Sequence, residues 1–263
     1  MKPKLNARSA FLTVFLYLVL SIIASLLAAI FFGGIDSSDT DTIFDGVIDS
    51  GMYGTIIVLI VLLFICLYVF KCSRRDLFFE RKPFSLSKLY YLFPLAWFGV
   101  TLVALFNVDY SAYSLGEILL VLLATLAIGA NEEIVTRGIM LIGLRNSGVA
   151  EWKAWLVTVV VFALLHLVNV LGGDSPTILI VTFAGGTLLY VARRVFNNLF
   201  VPIGLHALYD AAFFLLTGKY LVGADLPDIV LDIQLASFVV LLAATILFLI
   251  FGRGLLKSDT TGW

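Results

Sequence analysis

The chain has 263 residues, of which 61% are hydrophobic and 13% charged, with a mean hydropathy of +1.07. Soluble domains carry roughly 25% charged residues, so this composition excludes an ordinary soluble enzyme and describes a polytopic membrane protein. The net charge of −1 lacks the basic character of nucleic-acid binders, and no nucleic-acid partner is expected.

A transmembrane helix needs about 20 mainly apolar residues. Such runs occur at 11–32, 53–70, 89–106, 115–144, 153–170, 176–195, 198–217 and 235–252. No polar stretch is long enough to fold alone, so residues 1–263 are expected to form a single integral membrane domain, all-α, with about eight transmembrane helices. The first run follows Lys2, Lys4 and Arg8. Its apolar part exceeds the 7–15 residues of a signal peptide and no small-x-small site follows, which predicts an uncleaved span.

The acidic loop 36–49 reads as a solvated connection. Cys66 lies in an apolar run and Cys72 in a basic loop, a pattern of neither a disulfide framework nor a zinc knuckle. The basic segment 71–88 interleaves Phe78, Phe79 and Phe84 with its charges; it reads as an orientation determinant, with docking on anionic lipid head groups as the other use of the same pattern. The fourth run is too long for a perpendicular span and is expected to be tilted, broken or protruding. Pro94, Pro176 and Pro202 fall near span ends or in first turns, where proline is tolerated.

Lysine and arginine concentrate in cytoplasmic segments. Eight spans with the N-terminus inside place Lys2, Lys4, Arg8, Lys71, Arg74, Arg75, Arg81, Lys82, Lys88, Arg145, Lys153, Arg193, Arg194, Arg253 and Lys257 on that side. Lys219 falls outside and Arg137 within the membrane. The opposite ends carry Asp36, Asp39, Asp41, Asp45, Asp49, Asp109, Asp174, Asp225, Asp228 and Asp232. Both termini are therefore expected to be cytoplasmic, in a multi-pass protein of the cell membrane.

Against this background the stretch NEEIVTRG, residues 131–138, is anomalous. Each Asp, Lys or Arg at the bilayer centre costs roughly 2.5–3.5 kcal/mol on insertion scales, and such residues persist where they pair or do chemistry. Counting 1.5 Å per residue from the cytoplasmic helix ends puts Glu132 at a depth of about 18 Å, His166 at about 20 Å, His206 at about 16 Å and Asp210 at about 22 Å. All four, from three helices, lie near the middle of a core about 30 Å thick. Both histidines of the chain are at this level.

Glu133 and Arg137 are i, i+4 in the favourable order for an ion pair. Glu132 is turned by about 100° from Glu133, is less neutralised by that arginine, and is the candidate general base. His206 and Asp210 are also i, i+4, so the carboxylate can orient the imidazole or share its proton. His166 has Phe162 one turn before it, as an aromatic wall, and Asn169 after it, as a candidate amide partner. Gly185 and Gly186 in the sixth span read as close-packing positions rather than as substrate clearance.

In order, EEIVTR (132–137), FALLH (162–166) and HALYD (206–210) resemble the EExxxR, FxxxH and HxxxN/D motifs of the CAAX protease and bacteriocin-processing (CPBP, or Abi) family of intramembrane glutamic endopeptidases, related to type II CAAX prenyl proteases. The resemblance spans about 115–217, the catalytic-motif core. It implies an eight-helix fold, a peptidase without cofactor, and a membrane peptide or protein in the lipid bilayer as substrate. Glu132 would activate water with help from His166; His206 and Asp210 would stabilise the oxyanion or hold its donors; Glu133 and Arg137 would support the site. Several family members have asparagine at the position of Asp210. An ionised aspartate cannot donate to an oxyanion, which favours orientation of His206 as its role.

Other readings stand on the same residues. Two imidazoles and two carboxylates are donor types that zinc accepts, although there is no HExxH. A non-enzymatic immunity or scaffold protein would keep the cluster for packing or ligand binding. A proton-relay transporter uses similar residues but normally carries repeated, broken-helix sites. Substrate identity and oligomeric state are not encoded in these patterns.

Overall fold

The computed structural model describes residues 5–31, 52–80, 88–171, 175–218 and 228–252. The acidic loop 36–49 lies outside the described residues, as do Lys2, Lys4, Arg81, Lys82, Phe84, Asp174, Lys219, Asp225, Arg253 and Lys257. The helices are α1 (Ala7–Phe31), α2 (Met52–Phe64), α3 (Arg74–Phe78), α4 (Leu92–Phe106), α5 (Leu115–Glu133), α6 (Leu141–Asn146), α7 (Glu151–Leu165), α8 (Leu167–Leu171), α9 (Thr177–Phe196), α10 (Phe200–Thr217) and α11 (Asp228–Phe251). Wider π-helical turns extend α2 over Ile65–Val69 and join α5 to α6 over Ile134–Met140. Among the described residues the one pairing of extended backbone is an antiparallel bridge from Phe79 to Asn198.

Each of the eight apolar runs forms a helix. Seven described helices are long and apolar enough to cross a membrane, and the second run forms a shorter apolar one, Gly54–Val69. The fourth run is interrupted by the π-helical stretch rather than straight. Its start is set by a capping box: the Ser114 hydroxyl accepts from the Glu117 amide at 3.2 Å, and the Glu117 carboxylate accepts from the Ser114 amide at 2.6 Å, satisfying two otherwise orphaned donors. Pro94 and Pro202 sit in the first turns of α4 and α10, and Pro176 caps α9, where a missing amide proton removes no helical bond.

Helix α9 is the most enclosed of the seven long apolar helices, with every residue from Ala184 to Val195 buried. It packs on α7, α10 and α11, while α5 and α10 lie side by side. At that crossing a Cβ on Gly129 would lie 3.1 Å from the Ala207 backbone nitrogen, so a small residue permits the close approach. Large apolar side chains such as Phe15 on α1, Leu123 on α5 and Phe251 on α11 point outward, as lipid-facing surfaces require.

The two described chain ends meet at one end of the bundle. The Ala7 amide donates to Ser147 Oγ at 2.8 Å, Tyr91 Oη to the Val195 carbonyl at 3.2 Å, and Tyr90 Oη to the Phe251 carbonyl at 2.7 Å. Arg145, Arg193 and Arg194, counted above as cytoplasmic orientation charges, gather at this end and are buried. They are 1%, 0% and 4% exposed. Glu80, itself buried, accepts from Arg145 Nη1 at 3.1 Å, Arg193 Nε at 2.9 Å and Arg194 Nη1 at 2.5 Å. Glu151 accepts from Arg145 Nε at 2.8 Å and from Tyr190 Oη at 2.5 Å. A buried ion survives only when paired and hydrogen-bonded, and each of these ions pairs with another of the cluster. Burial pushes the Glu80 carboxyl up, but the guanidinium groups of Arg145, Arg193 and Arg194 more than offset this and hold it at about 2.

Glu80 is delivered by the short segment containing α3. The Leu199 amide donates to the Phe78 carbonyl at 2.7 Å and the Glu80 amide to the Asn197 carbonyl at 3.1 Å. Asn197 takes a left-handed conformation, φ 56°, which ends α9 and turns the chain into α10. Phe78 stacks on Phe200 at 4.8 Å, while Lys71, Arg74 and Arg75 remain at least partly exposed.

Candidate active site

The three motifs converge from α5, α7 and α10. Glu132 and Glu133 are the last residues of α5, just before the helix widens. Thr136 donates its hydroxyl to the Glu132 carbonyl at 2.5 Å, and Asn131 donates to the Thr55 carbonyl at 2.7 Å, so this segment is held from both sides. Arg137, fully buried, donates to Glu133 Oε1 at 2.6 Å, to Thr136 Oγ1 at 2.9 Å and to the Gly186 carbonyl at 2.9 Å. Its guanidinium lies 4.1 Å from the centre of the Phe162 ring, a cation–π contact. The ion pair read from the i, i+4 spacing is present.

His166 interrupts its span. Helix α7 ends at Leu165, and His166 has φ −83° and ψ 3°. Its Nδ1 is 3.0 Å from the Phe162 carbonyl oxygen; that oxygen can only accept, so Nδ1 is the donor and Nε2 is left facing the site. Nε2 lies 3.9 Å from Glu132 Oε2. Asn169 reaches His166 through its backbone amide, 3.1 Å from the His166 carbonyl, and not as the side-chain partner expected of it.

His206 faces three carboxylates. Its Nδ1 is 3.3 Å from Glu133 Oε1, while Nε2 is 3.5 Å from Asp210 Oδ2 and 3.9 Å from Glu132 Oε2. Helical spacing predicts that Asp210 orients this imidazole. In the structure Glu133 holds Nδ1, and Asp210 shares the Nε2 side with Glu132. Glu133 is thus tied to both Arg137 and His206. Glu132 Oε2 has no hydrogen-bond partner among the described residues. Phe162 walls the site, its ring 5.0 Å from that of His166 and 5.7 Å from that of His206.

A cavity of about 80 Å³ opens onto His166, His206 and Asp210 and is otherwise lined by Thr182, Tyr209 and mainly apolar groups including Trp97, Leu189 and Leu241. A single water needs roughly 10–15 Å³ of such space, so the cavity is large enough for several waters or a small side chain. Gly185 lines it, and a Cβ there would meet nothing within 4 Å. Gly185 is therefore clearance, contrary to the packing role expected for it. Gly186 is the packing position, its Cβ site 3.0 Å from Arg137 Nη2 and 3.1 Å from the Phe162 ring.

Trp97, Tyr209, Ser237 and Leu241 carry no sequence signal of a site. They reach it from α4, α10 and α11 by tertiary packing, with Ser237 Oγ donating to Tyr209 Oη at 3.1 Å and the Trp97 and Tyr209 rings 4.6 Å apart. Among the described residues no group of three or more His, Cys, Asp or Glu side chains is placed to hold a metal ion.

Residues 114–212 match the family model described as Type II CAAX prenyl endopeptidase Rce1-like. Over this stretch the chain is similar to that family. The match contains Glu132, Glu133, Arg137, His166, His206 and Asp210, and excludes Glu80, Trp97, Ser237 and Leu241. No curated protein and no solved structure matches the chain. The seven long apolar helices make this a multi-pass membrane protein, and its stretch 114–212 is similar to the Rce1-like endopeptidases.

Proposed function

We propose that the chain is an intramembrane endopeptidase that hydrolyses a peptide bond of a membrane-associated peptide or protein with water activated by Glu132. One observation carries the reading: the unpartnered Oε2 of Glu132 stands 3.9 Å from Nε2 of both histidines. That gap is too long for a direct hydrogen bond and suits a bridging water. Glu132 takes a proton from that water as its oxygen attacks the carbonyl carbon, and returns the proton to the leaving nitrogen as the C–N bond breaks. The Nε2 lone pair of His166 accepts the water's second hydrogen and orients it.

His206, its Nδ1–H held by Glu133, stabilises the oxyanion from Nε2 when protonated. Asp210 accepts from Nε2 until the oxyanion replaces it. Arg137 fixes Glu133 and balances its charge. The arginine-rich end of the bundle faces the cytoplasm, and the host bilayer is the cell membrane.

The test uses purified protein in detergent and a quenched fluorogenic peptide ending in a prenylated cysteine followed by three residues, beside the same peptide without the prenyl group. Glu132→Gln, His166→Ala and His206→Ala are each expected to stay folded and lose turnover. Full activity in Glu132→Gln would remove the proposed base. Cleavage of both peptides would show that prenylation is not required. For the native substrate, membrane proteomes of wild-type and Glu132→Gln cells are compared for an uncut peptide.

A further inference from the structure

We propose that Arg193, which belongs to none of the three motifs, is a positioning residue that fixes the angle at which Glu132 and Glu133 meet the two histidines; this rests on the endopeptidase reading above. In an α-helix the amide of Leu141 would donate to the Arg137 carbonyl, four residues back. Here that amide donates to the Thr136 and Gly138 carbonyls, because the chain is wound in the wider π form. The Arg137 carbonyl loses its helical donor at a fully buried position, and a buried acceptor left unpaired is costly. Arg193 Nη1, from α9, donates to it.

The same guanidinium is anchored on its other edge, where Nε donates to Glu80 Oε1 at 2.9 Å. Arg193 is 0% exposed. It is therefore a fixed strut between the buried carboxylate brought in by α3 and the widened turn that succeeds the catalytic glutamates. A π turn holds one residue more than the α turn it replaces, and functional sites use such turns to re-aim side chains. Relaxation to α pitch would rotate α5 by roughly 100° relative to α6. Glu132 could not then keep its equal 3.9 Å separations from His166 on one helix and His206 on another. Misplacement by about 1 Å is enough to cost on the order of 100-fold in rate.

Arg194 supplies the control. It donates to Glu80 at 2.5 Å and lies 3.8 Å from Glu151, so it shares the charge network without serving the Arg137 carbonyl.

The experiment compares full-length wild-type protein with Arg193→Gln, Arg193→Lys, Arg194→Lys and Glu132→Gln, using the prenylated fluorogenic peptide and amide hydrogen exchange across 138–142. Arg193→Lys keeps the charge beside Glu80 but cannot span both partners, and it carries the test should Arg193→Gln misfold. Both Arg193 variants are expected to lower kcat at least about ten-fold with KM within about three-fold, and to speed exchange across 138–142. Arg194→Lys keeps kcat within about two-fold, and Glu132→Gln keeps wild-type exchange. Wild-type kcat and exchange in Arg193→Lys would overturn the proposal. Failure of the wild type to cleave, or activity in Glu132→Gln, counts against the endopeptidase reading instead; the exchange result then decides whether Arg193 holds the turn.

Discussion

Replacing Glu80 with glutamine removes the one carboxylate shared by Arg145, Arg193 and Arg194. All three arginines are buried, and removing one partner of a buried pair leaves uncompensated charge at a cost of about 3–5 kcal/mol. A second route reaches a similar size. The Glu80 pKa falls from the usual 4.5 to about 2, and each tenfold change in proton affinity is worth about 1.4 kcal/mol, which gives about 3 kcal/mol in all. Because the folded value is the depressed one, this stability is fully present above pH 4.5 and is lost as pH falls toward 2. The assay is thermal unfolding in detergent. Glu80→Gln is expected to melt roughly 6–12 °C below wild type at neutral pH, with the gap constant from pH 6 to 8 and closing below pH 4.5. A melting point within about 1 °C of wild type at pH 7 would refute the reasoning, because three buried guanidinium groups would then be shown to need no central anion.

The adjacent glycines of α9 should part company. Gly185→Ala adds a methyl to the open cavity and is expected to leave thermal stability unchanged or slightly raised, with KM altered in the peptide assay. Gly186→Ala drives a Cβ to 3.0 Å from Arg137 Nη2 and is expected to destabilise by about 1–3 kcal/mol, measured by the same melts. Among the described residues no group of three or more His, Cys, Asp or Glu side chains is placed to hold a metal ion, whereas zinc sites use three or four such ligands. Elemental analysis of the purified protein is expected to find no stoichiometric zinc, and peptide cleavage is expected to survive chelation. Loss of activity on chelation with recovery on zinc addition would count against the glutamate mechanism.

The chemistry of the site was legible along the chain because each motif is local. Glu133 with Arg137, Phe162 with His166, and His206 with Asp210 are all i, i+4 pairs, and helical spacing places such residues on one face. The cost of burying charge in lipid then implied that the three faces look toward one another, which is how the helices are arranged. Spacing within a helix could not say which neighbour from another helix lies nearer. For that reason the sequence paired His206 with Asp210, which faces its Nε2, but not with Glu133 on α5, which holds its Nδ1, and Gly185 opens on a cavity while Gly186 packs.

The charged cluster at the arginine-rich end shows the same boundary. Arg145, Arg193 and Arg194 read as cytoplasmic orientation charges, and nothing local pointed to their shared partner Glu80, which is 65 or more residues from each of them. Hydropathy and helical period register only near neighbours. The π winding beyond Glu133, and the guanidinium that caps its freed, buried carbonyl, arise from packing between α5, α9 and the segment carrying α3, and no local pattern encodes them.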